Sequence, residues 1–345
     1  MNVLFFGLGG IGQRYLRLVK KNFSNFAVYA YRIKGRKFEI TDKLNANQKI
    51  DIEKKYNIKR IKNLNYLNKI KIDFAIICNP TSEHIKTIKK LLKHKIPILV
   101  EKPLSNSINR LDDVLLTLKK NKTLLLTGHM MRFNPAVIKL KKMIKNNFLG
   151  RIYNVVIKSH SYMPGWHKYE DFKKLYASNK SLGGGVILTE THEIDLLKWI
   201  FGIPNKIIAF KNKKNKFNLD VEDTVNGAIK YNNRFNFLVT FSLSFIQKLP
   251  TKKISIYGKK GKLTLDLISN KLTFENIKNT KPIKIIDSNI SRNELFYLQL
   301  KHFVSLIKKK RTTSQILDNG YDSLKICLAI KKSIIQRDVN KIKVV

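Results

Sequence analysis

A chain of 345 residues is too long for one ordinary hydrophobic core, so two domains are expected. Apolar residues make up 43%, which excludes a disordered chain, and no run approaches the roughly 18 apolar residues of a membrane helix. The net charge of +44 raises nucleic acid as a partner, but 27 basic and 9 acidic residues in 1–126 against 41 and 15 in 127–345 spread it almost evenly, which reads as solvated surface.

The N-terminal run Met1–Phe6 meets a glycine turn before a secretory cleavage pattern can develop. Cys78 and Cys327 lie far apart, so neither a disulfide framework nor a metal cluster is expected. The expectation is a protein of the reducing cytoplasm, with no bound metal and no nucleic-acid or membrane partner.

In chain order, residues 2–6 read as a buried strand, 13–21 as an amphipathic helix and 26–31 as a second strand. The alternation continues with a strand at 72–78, a helix at 82–93, a strand at 96–100, a helix at 111–120 and a strand at 123–127. It predicts an α/β domain over 1–126, a doubly wound parallel sheet of Rossmann type. Past it the texture changes. A helix at 134–146, with Pro135 in its first turn, leads into strands at 152–160, 206–211, 224–231, 236–244, 253–257, 262–266 and 271–275. Hairpin turns are expected at 231–234 and 258–261. A helix at 190–201 interrupts the series, and helices at 292–310 and 320–336 close the chain. Residues 127–345 are thus expected to form an α+β domain with a large, mainly antiparallel sheet, the closing helices packing back on the first domain.

Gly7-Leu8-Gly9-Gly10-Ile11-Gly12 fits G-x-G-x-x-G between a strand and a helix. The first glycine makes the turn, the second admits a pyrophosphate and the third allows close packing. The helix N-terminus then offers unpaired N–H groups to the anion. Gly7, Gly9, Gly10, Ile11 and Gly12 are therefore candidate cofactor residues for NAD(P). The second strand should end at the adenosine ribose, where an NAD enzyme places an acid about 20 residues on. Arg32 stands there, with Lys34 and Arg36 after it and no carboxylate before Glu39. An arginine suits a 2′-phosphate and favours NADP over NAD.

Three further segments follow predicted parallel strands, where such sheets bind ligands. They are Asn79-Pro80-Thr81 with His84 a turn later, Glu101-Lys102-Pro103, and Gly128-His129-Met130-Met131-Arg132-Phe133-Asn134-Pro135. Read by itself, Lys102 is either a group that bonds a reacting hydroxyl or one more surface lysine.

Together with Gly183-Gly184-Gly185 and His192-Glu193-Ile194-Asp195, these motifs resemble the glucose–fructose oxidoreductase, inositol dehydrogenase and rhizopine-catabolism (Gfo/Idh/MocA) family over nearly the whole chain. The resemblance implies hydride transfer between a nicotinamide and a hydroxyl or carbonyl carbon of a sugar or nucleotide-sugar, in a homodimer or homotetramer. It implies Asn79, Pro80, Thr81, His84, Glu101 and Lys102 at the cofactor. Lys102 also maps to the reacting oxygen, His192 to the proton donor and acceptor, and Asp195 to a partner of the imidazole or the substrate. Arg132 and Asn134 map to the substrate. The stretch Ser159–His167 resembles a branch associated with surface-polysaccharide and nonulosonic-acid sugars. Its Tyr162 and Trp166 either stack on a sugar ring or pack beneath a loop. One departure stands out. Many members carry Asp four or three residues before the histidine, where this chain has Leu188 and Thr189, with Glu190 two before. The alternative it raises is a cofactor-binding regulatory protein with impaired chemistry.

Overall fold

The computed structural model describes residues 1–31, 37–212, 214–232, 235–313 and 320–335. Arg32, the turn residues Asn233 and Arg234, and Gln336 lie outside the described residues.

Six parallel strands form the first sheet, in the order Ile58–Ile61, Ala27–Tyr31, Asn2–Phe6, Phe74–Ile77, Ile98–Val100, Leu125–Thr127. Val3, Leu4 and Phe5 are wholly buried, as are Phe74 to Ile77. Continuous apolar runs of this kind are what a sheet covered on both faces requires. Strand order reverses between Asn2–Phe6 and Phe74–Ile77, and that switch point opens a crevice at the carboxyl ends of the strands. Two features go beyond the sequence reading. Ile58–Ile61 (IKRI) is an edge strand with only two apolar residues, too short a pattern to stand out. Phe38–Ile40 and Ala46–Asp51 form a small antiparallel hairpin beside it.

The second sheet has eight strands, in the order Lys206–Lys211, Thr224–Tyr231, Phe237–Ser244, Ile152–Tyr162, Ile246–Gly258, Gly261–Asp266, Lys271–Asn276, Asn279–Asp287. All neighbours are antiparallel except Phe237–Ser244 with Ile152–Tyr162. The expected strand at 253–257 begins earlier, at Ile246, and its register shifts between Ile246 and Thr251 around Pro250. Proline cannot donate to a ladder, so the interruption hid the strand's first half. The edge strand Asn279–Asp287 carries Pro282 and was likewise not expected. One face, with Val155, Ile157, Val239, Phe241, Ile254 and Ile256, is buried. By register, Ile208, Phe210, Leu238 and Tyr257 share the other face and stay exposed.

Helix Arg292–Lys308 returns to the first domain. Phe296 meets Tyr15 edge-on at 5.2 Å and Phe303 meets Phe74 at 5.6 Å. Thr313 accepts from the Leu125 amide and donates to the Thr123 carbonyl, and Gly320 fits against Thr127 where a Cβ would not.

Helix Pro135–Lys145 enters through Asn134, whose Oδ1 accepts from the Ala136 amide at 2.9 Å and whose Nδ2 donates to Asn270 Oδ1 at 2.7 Å. Asn134 is wholly buried, with one bond at Oδ1 and one at Nδ2. Its expected place at the substrate is corrected to an N-cap that ties this helix to the second sheet. Asn134→Ala should therefore cost about 1–3 kcal/mol of folding free energy and leave cofactor affinity unchanged. Urea unfolding and nicotinamide titration check this; an unchanged unfolding midpoint contradicts it.

Candidate active site

The glycine loop sits at the switch point. A Cβ on Gly7 would lie 2.7 Å from the Asn79 amide nitrogen and the Cys78 carbonyl, and one on Gly12 2.1 Å from the Gly7 carbonyl oxygen. Both positions admit only hydrogen. Gly9, the N-cap of helix Gly10–Asn22, has nothing within 4 Å of its Cβ direction. The tight glycines are thus tight against the protein and the open one faces free space. A pyrophosphate fits there, on the free N–H groups of the helix. Ile11 packs on the core behind the loop.

The two neighbouring loops are locked together. His84 is buried, with Nδ1 2.9 Å from the Pro103 carbonyl oxygen and Nε2 3.0 Å from that of Asn79. Burial pushes its pKa down despite those two acceptors. A neutral imidazole donates from one nitrogen only, so His84 bonds one of these carbonyls and faces the other, lying between the Asn79-Pro80 loop and the loop carrying Lys102. Asn79 donates to Thr87 Oγ1 at 2.8 Å, while its Oδ1 is buried without a partner and remains for a ligand N–H. Pro80 leads into a short 3₁₀ turn that begins at Thr81, and Thr81 is buried against Gly183 of the second domain. On the far side Tyr169 brings its hydroxyl to Gly10. Segments of the second domain therefore flank the crevice on both sides.

Glu101 is buried and accepts from the Tyr15 hydroxyl at 2.8 Å, which in turn accepts from Gln299 Nε2 at 2.5 Å. Burial raises its pKa against the pull of Tyr15 and Lys102. Glu101 thus fixes the loop from beneath. It leaves Lys102 projecting across the crevice, where Nζ donates to the Thr189 carbonyl at 2.6 Å.

That carbonyl belongs to a broken helix. The helix expected over 190–201 is Thr191–Phe201, and a short helix that was not expected, Val186–Thr189, precedes it, with Glu190 between them at φ −89°, ψ 48°. His192 follows the break. Its Nδ1 is buried without a partner, and its ring meets that of His129 edge-on at 6.5 Å. Burial first, then the charge of Lys102, then His129 and Lys252, hold the His192 pKa well below the usual imidazole value. The imidazole is neutral at pH 7 and has one nitrogen free to accept a proton.

Asp195 is placed differently from the expectation. Its carboxylate is 1% exposed and accepts from Arg132 Nε at 2.8 Å and Nη2 at 2.5 Å, and from Ser323 Oγ at 2.6 Å. His129 Nε2 lies 3.4 Å from it. The acid joins Arg132 to the closing helix Tyr321–Ile335, and Arg132 spends its fork on Asp195 where contact with substrate was expected. Tyr162 and Trp166 are half-buried, edge-on to Phe217 at 6.1 Å and to Phe245 at 5.0 Å. Of their two readings, packing beneath a loop is the one this geometry shows.

A buried cluster lies beside the break and was not foreseen. Lys252 Nζ contacts Glu190 Oε2, lies 3.5 Å from Glu193 Oε1 and donates to Ser159 Oγ at 3.1 Å; Ser161 Oγ donates to Glu190 Oε1 at 3.1 Å. Two carboxylates face one ammonium. Burial pushes Glu190 up, but Lys252 outweighs it and holds the group below the usual carboxylate range. Burial dominates at Glu193 and raises its pKa. No helix runs through Glu190, so its direction does not follow from helical spacing. The available signal was strand Ile152–Tyr162, whose inward positions turn from Val155 and Ile157 to Ser159 and Ser161.

Residues 1–129 match the model described as an oxidoreductase family, NAD-binding Rossmann fold, and residues 141–344 the one described as its C-terminal alpha/beta domain. A 2,7-anhydro-N-acetylneuraminate hydratase of Mediterraneibacter gnavus is 21% identical over 213 residues, 57% of this chain and 52% of that protein, so the chain spans about half the length of this relative. An NADPH-dependent oxidoreductase structure from Desulfitobacterium hafniense superposes with a TM-score of 0.79 at 17% identity, covering 97% of this chain and 96% of that one. The WlbA dehydrogenase of Bordetella pertussis, solved with NADH and UDP-GlcNAcA, superposes at 0.75 with 16% identity and 97% of both chains covered. At these identities the likeness is one of fold.

The neutral His192 carries a sign for stability. Its folded pKa lies below the unfolded value of about 6.5, so its share of stability is whole above that pH. As pH falls, the unfolded chain takes a proton that the folded one refuses, and stability drops. His84 adds to the same trend. His192→Gln should make the loss between pH 7.5 and 5.5 shallower by up to one proton's worth, read from urea midpoints; a slope equal to wild type contradicts the assignment.

Proposed function

Because this chain belongs to the Gfo/Idh/MocA oxidoreductase family, we propose that it transfers a hydride between a nicotinamide dinucleotide and a hydroxyl or carbonyl carbon of a sugar or nucleotide-linked sugar. The observation that carries this is the 2.6 Å bond from Lys102 to the Thr189 carbonyl. It brings a lysine of the dinucleotide domain and the neutral imidazole of His192 to the same end of the crevice. The UDP-sugar in the WlbA complex supports a nucleotide-linked substrate.

The bound nicotinamide supplies the acceptor or donor of the hydride. Gly7, Gly9, Gly10 and Gly12 hold the pyrophosphate on the helix N-terminus, with Asn79, Pro80 and Thr81 along the neighbouring loop. Lys102 keeps one N–H on Thr189 and directs the others to the reacting oxygen, stabilising negative charge there. His192 accepts the hydroxyl proton on oxidation and returns it on reduction. Asp195 is a positioning residue, acting through Arg132 and His129. At the adenosine end, Arg32 favours NADP. The first carboxylate past the second strand, Glu39, is bound to Lys55 at 2.7 Å and Tyr56 at 2.9 Å, which supports the absence of a ribose acid.

Lys102→Ala and His192→Ala should each lower turnover by roughly 10²–10⁴-fold and leave nicotinamide affinity within a few-fold of wild type. Steady-state rates on a panel of nucleotide-linked sugars, paired with titration of NAD⁺ and NADP⁺, check this. Wild-type rates in both variants sink the proposal. Cofactor binding with no turnover of any sugar points to the regulatory reading instead.

The open face of the second sheet, with Ile208, Phe210, Leu238 and Tyr257, supports assembly through that face. Light scattering should give two or four times the chain mass, and Leu238→Lys should lower it; a monomer at micromolar concentration contradicts assembly.

A further inference from the structure

We propose that Lys252 is a positioning residue of this site: held by Glu190 and Glu193 over Ser159, it pins the helix break that turns the Thr189 carbonyl toward Lys102 and presents His192 to the substrate. The proposal deepens the hydride-transfer reading and rests on it.

Glu190 stands where an N-cap stands, yet its side chain accepts nothing from its own helix. Its carboxylate reaches across to strand Ile246–Gly258, where Lys252 pairs in register with Ser159. Every acceptor of Glu190 is directed at the sheet: Oε2 to Lys252 and Ser159, Oε1 to Ser161. The residue at the break is therefore tied to the sheet by one ammonium and two hydroxyls. On one side of it the Thr189 carbonyl receives Lys102, and on the other His192 begins the next helix. A continuous helix would commit that carbonyl to the amide four residues on. Lys252 itself is 27% exposed at the side chain, whereas the acids are 7% and 1% exposed. The ammonium closes the cluster from the accessible side.

The charges explain why the cation is needed. Without Lys252, two adjacent buried carboxylates have no counter-ion, and they relax by taking protons or by moving apart. Either change loosens Glu190 from the sheet, and the displacement is transmitted to its chain neighbour Thr189. Burial lowers the Lys252 pKa, but Glu190 and Glu193 more than offset this and raise it, so the clamp stays charged across the physiological range.

The test reads Lys102 directly and needs no substrate. Trace acetylation of the full chain with acetic anhydride, quantified lysine by lysine by mass spectrometry, reports how freely each amine reacts. Lys252→Met should raise Lys102 labelling by about threefold or more, the loss of one ordinary hydrogen bond, while exposed lysines such as Lys86 stay constant. Lys252→Arg, which keeps the charge and the donors, should hold Lys102 at the wild-type rate. Lys252→Met with Glu190→Gln and Glu193→Gln removes the ammonium together with both carboxylates it faces, and it gives the same reading if the single variant does not fold. Wild-type labelling of Lys102 in the Met variants overturns the proposal, as does a rise no greater at Lys102 than at the exposed lysines. A protein that binds NAD⁺ but oxidises no sugar defeats the hydride-transfer reading alone, since the labelling still decides the clamp.

Discussion

One hydrogen bond joins the two halves of the site. An ammonium on the loop after strand Ile98–Val100 reaches a carbonyl at a helix break of the other domain. A lysine is long, flexible and costly to order, so it holds one place only when its base and its tip are both restrained. The base is restrained by Glu101, Tyr15, Gln299 and His84, a buried polar set with good geometry. The tip is restrained by Thr189. Remove either restraint and the ammonium loses its fixed place across the crevice.

The two sheets supply different parts of that arrangement. The parallel sheet creates the crevice, because its order reverses at Asn2–Phe6 and Phe74–Ile77. The mixed sheet supplies a rigid wall whose inner face changes from apolar to polar near the crevice, at Ser159, Ser161 and Lys252. Arg132 and Asp195 then bind the segment after strand Leu125–Thr127 to the closing helix Tyr321–Ile335. Breaking a buried pair of this kind costs about 3–5 kcal/mol, and the pair's place at the domain junction gives that cost a structural purpose.

What the sequence made legible follows from the range of the interactions. The glycine loop and the strands with continuous apolar runs are local patterns, and five of the six parallel strands were readable from them. The edge strand Ile58–Ile61 was not, because a partly covered strand has no pattern to keep. The sequence also placed Lys102 and His192 in their motifs. It could say that Asn134, Arg132 and His84 mattered but not whom each would bond. Asn134 meets Asn270, Arg132 meets Asp195 and His84 meets Pro103, all choices made by the tertiary fold. The direction of Glu190 was hidden for a different reason: the helix stops at it, so no helical spacing sets where its side chain points.

The partner of Lys102 is a main-chain carbonyl, and this has an evolutionary consequence. A side-chain partner can be erased by one substitution, whereas every residue type brings the same C=O. Position 189 can thus change its side chain, within what its burial allows, while the lysine keeps its anchor, provided the chain still bends at 190. Threonine there, in place of an acid, is a substitution the architecture tolerates. What natural selection must guard is the bend, through Glu190 and a lysine more than sixty positions away on another strand.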